Sequence, residues 1–409
     1  MHHDANTFAP TRQMTSRRSA IKLGVAAVAA PVFTPMFNRG WFTLPHIPQQ
    51  QYSTRAIDLM RRALVIDMLS PLQISSSRGI KWYDTPDSIT PADAERIRSS
   101  GINVFHTAVG FGGPNAYVEG LRYFQRQNSL IAARGDLFMR IDSAADLAAV
   151  KGSGKAGIML GAQNSDHFVR PDYDPRDSLK TVDEFFNYGQ RVSQLTYNSQ
   201  NWFASGSTER VDGGLSDLGV SLVERMNKVG MAVDTSHCGD RTTLDALEVS
   251  KKPALVTHSN ARALAGGHPR CKPDEVIRAV GKAGSVMGIT GVRMFVKATE
   301  PTTVEDFLNH IDYVAKMIGV EHVGLGSDID LDGYDDMPPD EYKRLKESYK
   351  GSYGFRAKID IEGIDHPKRM FDVTEGLIRR TYSDDQILGI LGGNFQRVLT
   401  DIWSGMPGK

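Results

Sequence analysis

The chain has 409 residues, 40% of them hydrophobic, so the size of its core is not limiting. Its 48 basic residues balance its 48 acidic ones, which gives no electrostatic reason to expect a nucleic acid or an anionic membrane surface as a partner. Cys238 and Cys271 are too few for a disulfide framework or a cysteine zinc cluster. They form one disulfide outside the cytosol, or each is a small buried apolar residue.

The beginning of the chain has the pattern of a cleavable export signal. Arg17 and Arg18, with Ser16 before them and Lys22 after, precede the short apolar run Leu23 to Val32. A bilayer span needs about 20 apolar residues, so this run predicts a twin-arginine signal and export, to the periplasm in a bacterium, rather than a membrane helix. A disordered basic tail is the alternative. The predicted parts of the chain are a signal (1–33), a linker rich in proline and glutamine (34–55) and a single domain (56–409).

Eight short apolar or β-branched runs then alternate with stretches of helical period. Such near-continuous apolar runs suit strands of a parallel sheet that are buried on both faces. Eight β-then-α units predict an α/β fold, the (β/α)₈ TIM barrel. An open doubly wound sheet is disfavoured by the strand count and by the lack of a glycine-rich phosphate loop. The predicted strands are Ala63–Met68, Ile102–Ala108, Gly157–Ala162, Ser193–Tyr197, Met231–Thr235, Ala254–Thr257, Ser285–Thr290 and His322–Gly326.

Two of the intervening helices have clear end signals. Ser216 is predicted to cap the start of one amphipathic helix, and Gly230 to follow its last turn. Thr303 and Gly319 bound a second helix in the same way. The long polar segment from Asp332 to Lys368 follows the eighth strand, so we expect it near the mouth of the barrel, either as a lid or as a solvated surface insertion.

Polar residues follow the predicted strands at the end where barrel enzymes hold their active sites. His237 follows the fifth strand, His258 the sixth and Asp328 the eighth. Imidazole and carboxylate groups at one end of a barrel predict a divalent metal site, with zinc or a related ion. His106 and His167 are expected to be structural, because nothing in the sequence fixes a partner for either.

Several motifs occur in order along residues 60–400. Together they resemble the membrane (renal) dipeptidase family. The resemblance implies a barrel that holds two zinc ions and hydrolyses dipeptides, commonly as a homodimer. It assigns metal binding to His237, His258 and Asp328, and substrate binding to Arg262. The motifs are Asp234-Thr235-Ser236-His237, Thr257 to Leu264, His268-Pro269-Arg270, Gly324 to Asp328, Leu195 to Asn198 and Leu391 to Phe395.

The chain departs from the family pattern at four positions. Leu69 and Pro71 stand where the family has a histidine and an aspartate after the first strand, and neither side chain can bind a metal. Gln163 takes the place of the bridging glutamate, and Tyr197 that of a further histidine. One metal ion is therefore expected rather than two.

The predicted function is that of a metal-dependent hydrolase that cleaves a dipeptide or a related amide with one divalent ion, zinc. The alternatives are a non-hydrolytic enzyme, such as an isomerase, lyase or tailoring enzyme, and a binding protein that has lost catalysis. The expected partner is a small-molecule substrate, with no membrane span in the mature protein. The predicted roles are metal binding by His237, His258, Gln163 and Asp328, catalysis by Asp328 as general base and Tyr197 as oxyanion donor, and substrate binding by Arg262 and Asn198.

Overall fold

The computed structural model describes residues 52–72, 81–347 and 351–404. The predicted signal and all of the predicted linker up to residue 51 lie outside this described part. None of the helices within it is long and apolar enough to cross a membrane.

The strands form two parallel sheets that join into one barrel. One sheet has the order β1-β2-β4-β5-β6, and the other has the order β7-β8-β9. A parallel bridge between Asp234 and Leu255 joins β6 to β7, and the amide of Met68 donates to the carbonyl of Leu325 at 2.9 Å, joining β9 to β1. The predicted barrel is confirmed. The strands are β1 Ile66–Asp67, β2 Val104–Val109, β3 Phe138–Arg140, β4 Ala156–Ala162, β5 Gln190–Gln194, β6 Ala232–Asp234, β7 Val256–Ser259, β8 Met287–Ile289 and β9 Val323–Leu325.

The sequence did not predict the short strand β3. Its three residues pair with the first half of β4, where Phe138 lies opposite Ala156. Farther along, the same side of β4 pairs with β5, beginning at Leu160 and Gln190. β3 thus extends the edge of the sheet below the point where β5 begins. A three-residue strand with this partial pairing has too little periodicity to be recognised in a sequence.

Helices surround the barrel, and the predicted end signals are present. The Ser216 side chain accepts the amide of Gly219 at 3.0 Å, and Gly230 has a φ of 85°. The Thr303 amide donates to the Asp306 carboxylate at 3.0 Å at the start of the second helix. The helices are α1 Thr54–Arg62, α2 Pro91–Ser99, α3 Ala116–Ala133, α4 Ala144–Ser153, α5 Thr181–Asn187, α6 Asp217–Val229, α7 Asp240–Val249, α8 Asp274–Lys282, α9 Arg293–Val296, α10 Val304–Ile318, α11 Pro339–Glu347, α12 Arg369–Arg379, α13 Asp384–Leu388 and α14 Asn394–Trp403, with a π-helical turn at Gly389–Gly393.

One end of the barrel is closed by apolar packing. Phe395, Val398 and Leu399 of α14 belong to the same buried cluster as Ile66 and Val104, the first residues of β1 and β2. This helix therefore fills the end where the strands begin, which leaves the opposite end open for a site.

The two cysteines are free and fully buried. Burial raises the pKa of the Cys238 thiol to about 11 and that of Cys271 to about 12. Of the two alternatives, the structure supports small buried apolar residues, and it contains no disulfide between them.

Candidate active site

Two of the predicted metal ligands meet at the open end of the barrel. His237 lies just beyond β6, and His258 lies within β7. Their Nε2 atoms are 3.0 Å apart, and both side chains are almost fully buried. The neighbouring positions of β6 and β7 in the barrel bring these side chains together.

The hydrogen bond at its other nitrogen orients the ring of His237. Its Nδ1 lies 2.8 Å from Oδ1 of Asn198. The Ser207 hydroxyl donates to the same oxygen at 3.1 Å, so that atom is an acceptor and Nδ1 of His237 is the donor. The Nε2 atom of neutral His237 therefore carries a lone pair directed towards His258.

A chain of hydroxyls orients His258. Its Nδ1 lies 2.8 Å from Oγ1 of Thr257, which itself donates to Oδ2 of Asp234 at 2.6 Å. Because the threonine proton is directed to the carboxylate, Nδ1 of His258 is the donor and Nε2 is left with a lone pair. Asp234 also accepts the Ser236 hydroxyl at 2.6 Å. The Asp-Thr-Ser-His motif therefore supplies one histidine of the pair and the carboxylate that anchors the other.

The electrostatic surroundings keep both imidazoles neutral. Burial, followed by the Arg270 guanidinium, holds the pKa of His237 and of His258 well below the ordinary value. Two lone pairs 3.0 Å apart repel each other unless they share a cation, and paired imidazole nitrogens are a good ligand set for zinc. The pair supplies two of the three protein ligands that a catalytic zinc ion normally has. Within the described ranges, no group of three or more His, Cys, Asp or Glu side chains is arranged to hold one.

Two buried cations stabilise the backbone around the two histidines. Arg270 donates to the carbonyls of Ser236 at 2.5 Å and His258 at 2.9 Å, while its Nε is buried without a partner in the described structure. Lys272 donates to the carbonyls of Thr235 and Cys238, both at 2.8 Å, and burial lowers its pKa to about 8. Two positive charges therefore lie near the histidine pair on the side that faces the protein interior.

A cavity of about 680 Å³ opens beside the pair. Tyr197 lines it and stacks on His237, with 4.0 Å between the ring centroids, so the phenol covers the imidazole on the cavity side. Tyr334 and Leu345 also line it. Both belong to the segment from 332 to 368, so this contact supports the interpretation of that segment as a lid rather than as a solvated insertion. The lining residues are Pro71, Leu72, Tyr83, Thr107, Ala108, Val109, Gly110, Phe111, Gly112, Tyr123, Gln127, Gln163, Asn164, Asp166, Tyr197, Asp328, Tyr334 and Leu345.

Asp328 lies in the cavity wall just beyond β9. Its backbone has a φ of 56°, and its amide donates to the Leu69 carbonyl at 2.7 Å. Burial raises its pKa to about 7, although the nearby Arg270 acts in the opposite direction. A carboxyl group with a pKa near neutrality can both accept and donate a proton at physiological pH.

The substituted family positions do not form a second ligand set. Leu69 is fully buried, and Pro71 contributes its ring to the cavity wall. The Gln163 amide nitrogen donates to the Ala108 carbonyl at 3.0 Å. These contacts provide no charged donor for a second ion.

The two predicted substrate-binding residues already have partners within the protein. The Arg262 guanidinium forms a two-pronged ion pair with Asp240, both bonds being 2.7 Å, and also donates to the Cys271 carbonyl. The described lining of the cavity does not include it. Asn198 serves His237 and Ser207 through its side-chain oxygen.

The two histidines that were expected to be structural have different surroundings. Nδ1 of His106 donates to the Met68 carbonyl at 2.6 Å, and its buried Nε2 has no partner within the described residues. His167 contacts Gln190 at 2.9 Å and packs against Phe168 and Phe185. His167 is therefore part of an aromatic core cluster.

Sequence reasoning missed two charged residues of the site. Arg270 shifts the pKa values of His237, His258 and Asp328, and Asp166 lines the cavity with its pKa raised by burial to about 6. Arg270 belongs to the motif His268-Pro269-Arg270, in which no role was predicted for it. Asp166 lies beyond the end of β4 in no motif, so no signal in the sequence singled it out.

Residues 53–347 match the membrane dipeptidase family, peptidase family M19. An uncharacterised dipeptidase of Schizosaccharomyces pombe is 31% identical over 266 residues, which are 63% of this chain but only 56% of that protein. The dipeptidase verJ of Clonostachys rogersoniana is 28% identical over 381 residues, 90% of this chain and 82% of that protein.

Solved structures show the same fold. An amidohydrolase from Pseudomonas aeruginosa has a TM-score of 0.72 and 28% identity, over 85% of this chain and 99% of that one. The dipeptidase AC, a metallo peptidase of family M19, has a TM-score of 0.67 and 18% identity, over 84% and 99%. Because the family match covers well over half of the sequence, this chain belongs to the membrane dipeptidase family.

Proposed function

We propose that this protein is a metal-dependent hydrolase of the dipeptidase type that uses one divalent ion, zinc. The observation that carries the proposal is the 3.0 Å approach of the two buried Nε2 atoms of His237 and His258. Family membership supports the reaction class. The substitutions Leu69 and Pro71 support a single ion, because they remove two side-chain ligands from the second position.

His237 and His258 would hold the ion, with Gln163 or Asp328 completing its surroundings. When bound, such an ion supplies Lewis acidity to a carbonyl group. The hydrogen bonds that Nδ1 of His237 donates to Asn198 and Nδ1 of His258 donates to Thr257 keep both Nε2 lone pairs available for it.

Asp328 would move the proton. It lies in the cavity wall, and burial raises its pKa to about 7, which suits a general base that becomes a general acid in the next step. Tyr197, which stacks on His237 at the cavity wall, would donate its hydroxyl to the developing oxyanion.

Two arginines are candidates for the substrate carboxylate. Arg262 is the residue that the family resemblance suggests, but its guanidinium is paired with Asp240. Arg270 is fully buried and, like Arg262, is not part of the cavity lining, but it has no such carboxylate pair, has a buried Nε without a partner in the described structure, and shifts the pKa of Asp328. Comparing Arg262→Lys with Arg270→Lys separates the two candidates. Substitution of the arginine that binds the carboxylate should raise KM for a dipeptide far more than KM for the C-terminal amide of that dipeptide.

The main test is hydrolysis of a dipeptide panel by the zinc-loaded protein. Wild type should release free amino acids, His258→Ala should lose this activity by about 100-fold or more, and His322→Ala should retain it. His322 is a suitable control because it contacts the Ser285 carbonyl, away from the histidine pair.

A binding protein or a non-hydrolytic enzyme is the second candidate. It is favoured by Tyr197, which covers His237, and by the loss of charge at Gln163. The variant Leu69→His/Pro71→Asp/Gln163→Glu distinguishes it from the first candidate. If neither wild type nor this variant cleaves any dipeptide, hydrolysis is not the function of this chain.

We infer export through a twin-arginine signal in residues 1–33, which places the mature protein in the periplasm of a bacterium. We also propose a linker at 34–55, a single barrel domain at 56–409 and a homodimer. Sizing chromatography with light scattering on the mature protein tests the last of these.

A further inference from the structure

The cavity beside the histidine pair is acidic and aromatic. Its described lining contains two carboxylates, Asp166 and Asp328, and no lysine, arginine or histidine. The rings of Tyr83, Phe111 and Tyr123 belong to the same wall. A ligand that complements such a wall has a positive charge on an apolar body, since aromatic faces attract cations and carboxylates neutralise them.

The Asp166 carboxylate is held in place by neutral groups. The Asn164 amide nitrogen donates to it, and the Asn201 side chain is a second hydrogen-bonding neighbour. No cationic side chain of the described chain forms an ion pair with it. The amides fix the direction of the carboxylate but leave its charge uncompensated, and a half-buried charge of this kind gains most from an incoming cation.

The aromatic wall is pre-organised for such a ligand. The Tyr83 hydroxyl contacts the Gln127 amide nitrogen at 2.5 Å, and the Tyr123 hydroxyl donates to Thr107 at 3.2 Å. These bonds lock both rings, so little side-chain freedom remains to be lost on binding. The volume of about 680 Å³ lies in the range of pockets that hold drug-sized ligands, so it leaves room for a bulky side chain.

We propose that Asp166 is the counter-ion of the protonated amino group of the substrate, and that this substrate is a dipeptide with a free amino terminus and a bulky apolar first side chain. The identification of the substrate as a dipeptide rests on the proposed function. The amine-binding role of Asp166 is independent of hydrolysis, because it needs only the cavity and the uncompensated carboxylate.

The test is equilibrium binding by calorimetry. The probes are phenethylamine and N-acetylphenethylamine, which share an aromatic body and differ in charge. The wild-type protein should bind the amine about tenfold more tightly than the acetylated form, and Asp166→Asn should bring the two affinities together. Asp217→Asn, at an exposed position at the start of α6, is the matched control and should behave as wild type. An unchanged amine preference in Asp166→Asn, or loss of the preference in Asp328→Asn alone, overturns the assignment.

Kinetics on the zinc-loaded protein separate this inference from the proposed function. For a substrate such as Phe-Ala, Asp166→Asn should raise KM about tenfold with little change in kcat. If no dipeptide is cleaved but the amine preference depends on Asp166, the hydrolase proposal fails and the amine site stands. If dipeptides are cleaved with an unchanged KM in Asp166→Asn, the amine site fails and the hydrolase stands.

Discussion

The phenol ring of Tyr197 lies on the imidazole of His237, with 4.0 Å between the ring centroids and 20° between the planes. Tyr197 also lines the cavity, whereas the His237 side chain is only 1% exposed. The tyrosine thus stands where an ion or a chelator would pass between the solvent and the histidine pair.

Removing this ring should open the site. In Tyr197→Ala, we expect a chelator to strip bound zinc at least about tenfold faster than from wild type, because the stacked cover is gone. The rate is measured with a chromogenic chelator in stopped flow. Tyr197→Phe retains the ring and should lose zinc at the wild-type rate. Equal rates in Tyr197→Ala and wild type would show that the ion enters by another route.

The hydroxyl of Thr257 should control metal affinity. This hydroxyl accepts a hydrogen bond from Nδ1 of His258 and donates one to Asp234. Thr257→Val therefore leaves the imidazole without the partner that fixes its tautomer. Loss of such an outer partner costs about 10- to 100-fold in metal affinity. Competition titration with a zinc indicator measures it, and Thr257→Ser should restore most of the affinity. A wild-type zinc affinity in Thr257→Val would contradict the role proposed for the hydrogen bonds from His258 through Thr257 to Asp234.

Space at Gly161 is needed by His106. A methyl group at position 161 would overlap Nε2 of His106, whose ring is fixed by the Met68 carbonyl. Gly161→Ala should therefore lower the free energy of unfolding by about 1–3 kcal/mol. Gly112→Ala is the control, since its new methyl group meets no atom within 4 Å. Urea denaturation measures both, and equal stabilities of the two variants would refute the argument.

Asp360 should make stability depend on pH. Burial raises its pKa to about 7, with Asp335 and Asp330 nearby, and its Oδ1 is buried without a partner in the described structure. A carboxyl whose folded pKa lies above its unfolded value destabilises the fold progressively as the pH rises between the two. Asp360→Asn lacks this titration, so its stability relative to wild type should increase by roughly 2 kcal/mol between pH 5 and pH 8.

The measurement for Asp360 is denaturant unfolding at the two pH values. Asp340→Asn, at an exposed position in α11, serves as the reference and should follow wild type at both. A difference between Asp360→Asn and wild type that stays constant with pH would show that the carboxyl does not titrate in this range.

Strand order and helix ends were predictable because their signals are local. Each of the eight predicted strands overlaps a strand of the barrel, although the fourth was placed three residues too far along, since β5 is Gln190–Gln194. Ser216 and Gly230 bound α6 as expected from capping preferences. The meeting of His237 and His258 also followed, because adjacent parallel strands deliver their ends to one place.

Contacts between side chains that are far apart in the sequence could not be predicted in the same way. Whether Arg262 points to the cavity or to Asp240 depends on the packing of α7, which no local pattern encodes. Asp166 is identified as a site residue only because it lines the cavity. Part of the cavity wall is formed by Tyr334, which is more than 160 residues away in the sequence. Such relationships exist only after the barrel has closed.

The closure of the barrel also has a consequence for how the chain folds during synthesis. The buried carboxylate of Asp67 accepts the amide of Ser327 at 2.7 Å, across a sequence separation of 260 residues. A contact between such distant positions forms late, since the intervening chain must first be ordered. Until Ser327 has left the ribosome, β1 has an open edge, and a chain interrupted before that point would expose unpaired strand groups that favour aggregation.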